Sequence, residues 1–104
     1  MTSNEHNEAP YRVQMTDEAV YAYASIPADN IYHRMGELLK TLGNFPYYDQ
    51  EYDPYYEAGR PPIPCRVMFC GRYGIYHVND ESRIVTVLAI EDERRNPRNR
   101  FQNL

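Results

Sequence analysis

The sequence predicts an α+β fold in which a helix hairpin packs on a four-stranded, mainly antiparallel sheet, in the order β-α-α-β-β-β. Three observations carry this. Residues 11–15 alternate in polarity as a strand does. Ile31, Met35, Leu38, Leu39 and Leu42 recur at helical spacing. Three short runs rich in β-branched and aromatic residues follow between Arg66 and Ile90, parted by turn residues. A chain of 104 residues implies one domain, placed at 11–101, behind a disordered tail over 1–10 that ends in Pro10.

The elements follow in order. Tyr11–Met15 is the first strand. Thr16 caps a helix whose first turn holds Asp17 and Glu18, which favour the helix dipole. That helix runs to about Ser25 and is expected to bury Val20, Tyr23 and Ala24. Ile26-Pro27 begins a second helix, and Gly43 is placed to stop it. Residues 44–64 lack periodicity and carry prolines, four acids and five tyrosines. A loop of that length in a small domain is either functional or disordered, and its tyrosines read as lids on the core or as a recognition surface. Arg66–Cys70, Tyr73–Val78 and Arg83–Ile90 are three antiparallel strands, turning at Gly71 and at Asn79–Ser82. The last is apolar at nearly every position, as in a central strand covered on both faces. The first strand joins the sheet beside it. Residues 91–104 form a tail, acidic at Glu91, Asp92 and Glu93 and basic beyond.

Charge is unevenly spread. Residues 1–58 carry three basic and ten acidic side chains, whereas 59–104 carry eight arginines and five acids. The second half is therefore the candidate face for nucleic acid or an acidic partner. Cys65 and Cys70 are too few for a disulfide framework and should point to opposite faces of their strand. His6, His33 and His77 are scattered, so no metal or cofactor is expected. No apolar run reaches membrane-spanning length and the N-terminus lacks the pattern of a signal peptide, so a cytoplasmic protein is expected.

The stretch Arg66 to Val78, with Gly71-Arg72-Tyr73 and then Tyr76, resembles the strand core of RelE/ParE toxins, as does the aliphatic run Val85–Ile90 after a polar turn. Phe45-Pro46 and Gly59-Arg60-Pro61 are similar to the same family. The likeness spans 11–101 in the right element order, and its strength lies in the combination. It implies the toxin of a bacterial toxin-antitoxin module of the plasmid-stabilising, growth-inhibiting kind. A cognate antitoxin would dock beside the second helix and the sheet. RelE-like members cleave messenger RNA in the ribosome; ParE-like members poison DNA gyrase.

RNA cleavage needs an activated ribose 2′-hydroxyl and cations around one phosphate. Arg66 matches in type a position where RelE-like toxins are basic. Tyr73 stands where they often carry a phosphate-binding arginine, with Arg72 adjacent but expected on the other face. Glu91–Glu93 stand where a basic or histidine-bearing segment is usual. Asn99 lies near the place of a catalytic tyrosine, and Phe101 transfers no proton. The candidate catalytic set, if the chain is a nuclease, is His77, Arg66 and Tyr73. Candidate target-binding residues are Arg72, Arg94, Arg95 and Arg98. These arginines are expected to gather on an open curved sheet. The weak match to the nuclease pattern points first to a ParE-like toxin acting by binding, then to a divergent ribosome-dependent endoribonuclease, then to a non-toxic interaction domain.

Overall fold

The Thr16 hydroxyl joins the helical half of the molecule to the sheet. Its Oγ1 accepts from the Ala19 N–H at 3.1 Å and donates to the Leu88 carbonyl at 2.8 Å, capping a helix and tying it to a strand. The computed structural model describes residues 10–52, 63–94 and 101. Its elements are β1 (Arg12–Met15), α1 (Asp17–Ala24), α2 (Asp29–Asn44), β2 (Gln50–Glu51), β3 (Arg66–Cys70), β4 (Tyr73–Asn79) and β5 (Ile84–Asp92). The sheet order is β1-β5-β4-β3-β2. β1 runs parallel to β5, beside the last strand as expected, and every other pair is antiparallel.

The expected four strands are therefore joined by a fifth. β2 pairs Gln50 with Val67 and Glu51 with Arg66. Two residues are too few for alternation to show, which is why this stretch reads as loop. The tail expected over 1–10 falls, apart from Pro10, outside the described residues, as do residues 53–62 of the tyrosine-rich segment.

The helices differ from expectation in which residues they bury. α1 buries Ala19, leaving Tyr23 half-buried and Val20 and Ala24 exposed. A helix of eight residues offers two adjacent apolar stripes, and the one bearing Ala19 faces the sheet. α2 starts at Asp29 rather than at Ile26-Pro27, because the Ile26 N–H still bonds the Tyr23 carbonyl at 3.2 Å and its side chain drops into the core. Gly43 lies inside α2 instead of ending it. A Cβ there would stand 2.7 Å from the Tyr11 carbonyl oxygen, so glycine permits the close approach of helix and first strand.

Two apolar clusters flank the sheet. The helix side packs Ala19, Met35, Leu39 and Leu42 on Cys70, Ile75, Val85, Val87 and Ile90. The helix-free side gathers Cys65, Val67, Tyr76, Leu88, Ala89 and Phe101. β5 is buried on both faces, as its continuous apolarity requires. The register shifts between Tyr76 and His77, so that Leu88 and Ala89 both join the helix-free cluster. Cys65 and Cys70 are free thiols on opposite faces, as alternation demands. Burial pushes the Cys65 thiol up to about 11 and raises that of Cys70. No helix among the described residues is long and apolar enough to cross a membrane.

The expectation of an open sheet surface is corrected. The helix-free face is occupied at its centre by Tyr52 and Phe101, which pack on Tyr76 at ring distances of 4.8 and 4.9 Å. β5 also runs on to Asp92, two residues past the expected end, so the acidic triplet begins inside the sheet rather than in a tail.

Candidate functional site

The β3–β4 hairpin carries most of the candidate residues, and it separates them into two groups. At its open end Arg66 and His77 are direct cross-strand partners on the helix side. Both reach one carboxylate. Asp49 Oδ1 takes the Arg66 Nε at 2.9 Å, and Asp49 Oδ2 lies 2.6 Å from His77 Nε2. Arg66 Nη2 also donates to the Asp49 carbonyl, and the guanidinium lies over the Tyr47 ring at 5.2 Å. The other imidazole nitrogen, Nδ1, lies 2.9 Å from Asn79 Oδ1. Asn79 Nδ2 donates to the Pro46 carbonyl at 2.7 Å, which fixes the orientation of its amide.

The cluster lies against a pocket of about 350 Å³ lined by Tyr47, Arg66, His77 and Asn79, yet shows it little surface. His77 has no exposed surface, and the Asp49 and Arg66 side chains are 6% and 19% exposed. Both imidazole nitrogens lie against oxygen partners, Asp49 Oδ2 and Asn79 Oδ1. Both nitrogens of His77 are engaged within the cluster, and the Arg66 fork is committed to Asp49. The four side chains pin the 45–49 turn to the sheet.

Tyr73 is not part of that group. It shares a face with His77, as predicted, but pairs with Cys70 and Asp92 at the far end of the strand. Four residues of strand put it about 13 Å away. Its neighbour Arg72 is in the turn and not on an opposite face. The guanidinium lies over the Tyr73 ring at 5.1 Å, donates to the Tyr73 hydroxyl at 3.0 Å and meets Asp92 at 3.3 Å. Arg94 approaches the same Asp92 at 3.6 Å. Here the cations stay outside: the Arg72 and Arg94 side chains are 39% and 67% exposed. Gly71 makes the turn at φ 59° and abuts Ile31 of α2. Three residues on, exposed Arg34 casts enough field on the Cys70 thiol to offset part of its burial. Arg95 and Arg98 lie outside the described residues.

The other two acids of the triplet at the end of β5 are used internally. Glu91 is buried and its carboxylate accepts the Phe101 N–H at 3.0 Å, while Glu93 accepts the Tyr76 hydroxyl at 2.7 Å. Burial, then that carboxylate, pushes the Tyr76 phenol well above its ordinary range. Among the described residues no group of three His, Cys, Asp or Glu side chains stands ready for a metal ion. Sequence reasoning missed Asp49 and Arg34. Asp49 sits among other acids in an aperiodic stretch, and nothing local marks it as the one that turns inward. Arg34 is one exposed charge on an amphipathic helix.

No protein-family model matches the chain, and no curated protein matches its sequence. Its fold does match solved structures. One is the archaeal RelE–RelB complex from Pyrococcus horikoshii, with a TM-score of 0.65 and 17% identity over 84% of this chain and 99% of that one. Another is the toxin-antitoxin complex RelBE2 from Mycobacterium tuberculosis, with a TM-score of 0.62 and 19% identity over 80% and 98% of the two chains. The chain has a RelE-like toxin fold.

Proposed function

We propose that this chain is the toxin of a toxin-antitoxin module and that it acts by binding its target, as ParE-like poisons of DNA gyrase do. The observation that carries this reading is the state of the candidate nuclease residues. His77 is buried with both nitrogens engaged, Arg66 is locked on Asp49, and Tyr73 stands at the other end of the hairpin. A general base that touches no solvent, and a cation already neutralised, supply neither of the two elements that RNA cleavage requires. The exposed Arg72 and Arg94, with Arg34 nearby, form a surface suited to a large anionic or acidic target.

An antitoxin partner is supported by the neighbours, one a toxin-antitoxin complex and the other a RelE–RelB complex. A groove of about 500 Å³ runs between α2 and β3, lined by Leu38, Thr41, Tyr48, Met68 and Phe69, with Tyr48 and Phe69 strongly exposed. β2 pairs only with Arg66 and Val67, so among the described residues Met68–Cys70 lack a partner strand on that side. An antitoxin segment laid there as a strand gains backbone bonds and a pocket for its apolar side chains.

A second reading, the ribosome-dependent endoribonuclease, is favoured by the RelE identity of both neighbours. Induction of the chain without its antitoxin separates the two. Gyrase-linked DNA breaks with intact messages are expected; cuts within translated codons overturn the proposal. Arg72→Gln with Arg94→Gln is expected to lower toxicity at least tenfold while leaving the melting transition in place.

A further inference from the structure

We infer that one hydrogen shared between His77 and Asp49 latches the turn that leads into β2, and with it one wall of the groove between α2 and β3, so that the wall loosens as pH rises. The latch belongs to the chain alone. Only its consequence for an antitoxin segment in that groove rests on the function proposed above.

Asn79 Nδ2 donates to the Pro46 carbonyl at 2.7 Å, so the amide turns its oxygen toward the imidazole. That oxygen can only accept, and His77 Nδ1, 2.9 Å away, therefore carries a hydrogen. The other nitrogen, Nε2, lies 2.6 Å from Asp49 Oδ2. Without a hydrogen between them, a nitrogen lone pair would face a carboxylate oxygen at that distance. One hydrogen thus joins the two atoms, whether it rests on nitrogen or on oxygen. Its loss turns a short bond into a repulsion. The side chains of His77 and Asp49 are 0% and 6% exposed, so water does little to relieve it.

The neighbours leave this contact as the part that responds. β3 presents Arg66, whose Nε holds Asp49 Oδ1 at 2.9 Å and keeps its charge throughout. β5 presents uncharged Val87 across from His77. Tyr47, Glu51, Tyr52 and Cys65 line the cavity beside the cluster, which gives the proton a route to water. Burial pushes the Cys65 thiol up to about 11, so it stays neutral while an imidazole titrates.

Asp49 also faces the groove. With Tyr48 and Gln50 it lines the side opposite Leu38 and Thr41 of α2. Tyr48 and Gln50 are exposed, and the bonds from Arg66 and His77 to Asp49 between them hold this stretch against the sheet. When the shared hydrogen leaves, the Arg66 bonds remain. The wall then loosens while the fold persists.

The chain has no tryptophan, so Tyr48→Trp in the full chain reports on the wall through one emission band. As pH rises across about 5–9, the band is expected to lose anisotropy in one transition, with far-UV circular dichroism unchanged. Asp49→Asn in the same background is expected to abolish the transition and keep the low-pH anisotropy. Its amide oxygen still accepts from Arg66, and its NH₂ donates to a bare Nε2 at any pH. Anisotropy that stays flat across the range in the Tyr48→Trp chain overturns the inference. So does a transition that survives Asp49→Asn. Ring ¹⁵N shifts of His77 in the unsubstituted chain give a check that needs no variant to fold. Nδ1 is expected to keep its hydrogen on both sides of the transition, and a bare Nδ1 overturns the latch. None of these measurements involves a target or an antitoxin, so their failure is distinct from a failure of the toxin reading.

Discussion

The two ends of the β3–β4 hairpin use arginine in opposite ways. At the open end Arg66 is half-buried against Asp49, and His77 is buried behind the same carboxylate. At the turn end Arg72 and Arg94 share Asp92 while staying largely in solvent. The difference is the number of additional bonds that enclose each acid. Asp49 is wrapped by β3, β4 and its own turn, and its backbone carbonyl is also engaged; Asp92 projects from a strand end. The first cluster ties the 45–49 turn to the sheet. The second stays in solvent, as the proposed target surface requires.

Asp49→Ala is the strongest attempt to break this contrast. It leaves the buried His77 and the half-buried Arg66 without their shared acceptor, and the expected loss is about 3 kcal/mol of folding stability, read by urea denaturation. A loss near zero would mean that the cluster is solvated and that His77 is available for chemistry after all.

The thiols extend the comparison to pH. Cys65 precedes Arg66, and burial pushes its thiol up to about 11; Cys70 at the turn end is raised too, but the Arg34 charge works against the rise. A raised thiol favours folding while neutral, so that stability is whole below the ordinary cysteine value. It is lost as pH climbs from about 9 toward about 11. The expected decline is about 2 kcal/mol across that window. Cys65→Ser is expected to flatten it more than Cys70→Ser, and equal slopes in the two variants would remove the distinction between the ends.

Gly71→Ala tests the turn itself. With φ at 59°, alanine there costs about 1 kcal/mol, and the added Cβ meets Ile31 Cδ1 at 3.4 Å. The melting temperature is expected to fall by a few degrees with the arginine surface intact.

The sequence exposes the frame of this molecule more clearly than its site. The Thr16 cap, the three late strands, β1 beside β5 and the opposed cysteines are all legible, because each is set by neighbours in sequence or by strand alternation. The Arg66–His77 pairing is legible only as a possibility of register. Asp49 is not legible, since its partners lie 17 and 28 residues away. Tyr73 shows a different failure. Period-two alternation places it on the face of His77, but a shared face does not mean a shared place when the strand is long. The covering of the helix-free face by Phe101 depends on where a segment beyond the last strand comes to rest, which no local pattern records.

Asp92→Ala is the smallest perturbation and the sharpest for the proposed function. The pairs it removes are exposed and screened by salt, so the stability change is expected to stay below about 1 kcal/mol. It also releases Arg72 and Arg94 from their only shared counter-charge among the described residues. If those arginines bind the target, toxicity is retained or rises while the fold is untouched. If Asp92 instead holds them in the geometry that the target requires, toxicity falls with stability unchanged, and the turn end is a pre-set site rather than a charged surface. A fall in stability as deep as that of Asp49→Ala would make the two ends equivalent. The assignment of one to the fold and the other to recognition would then fail.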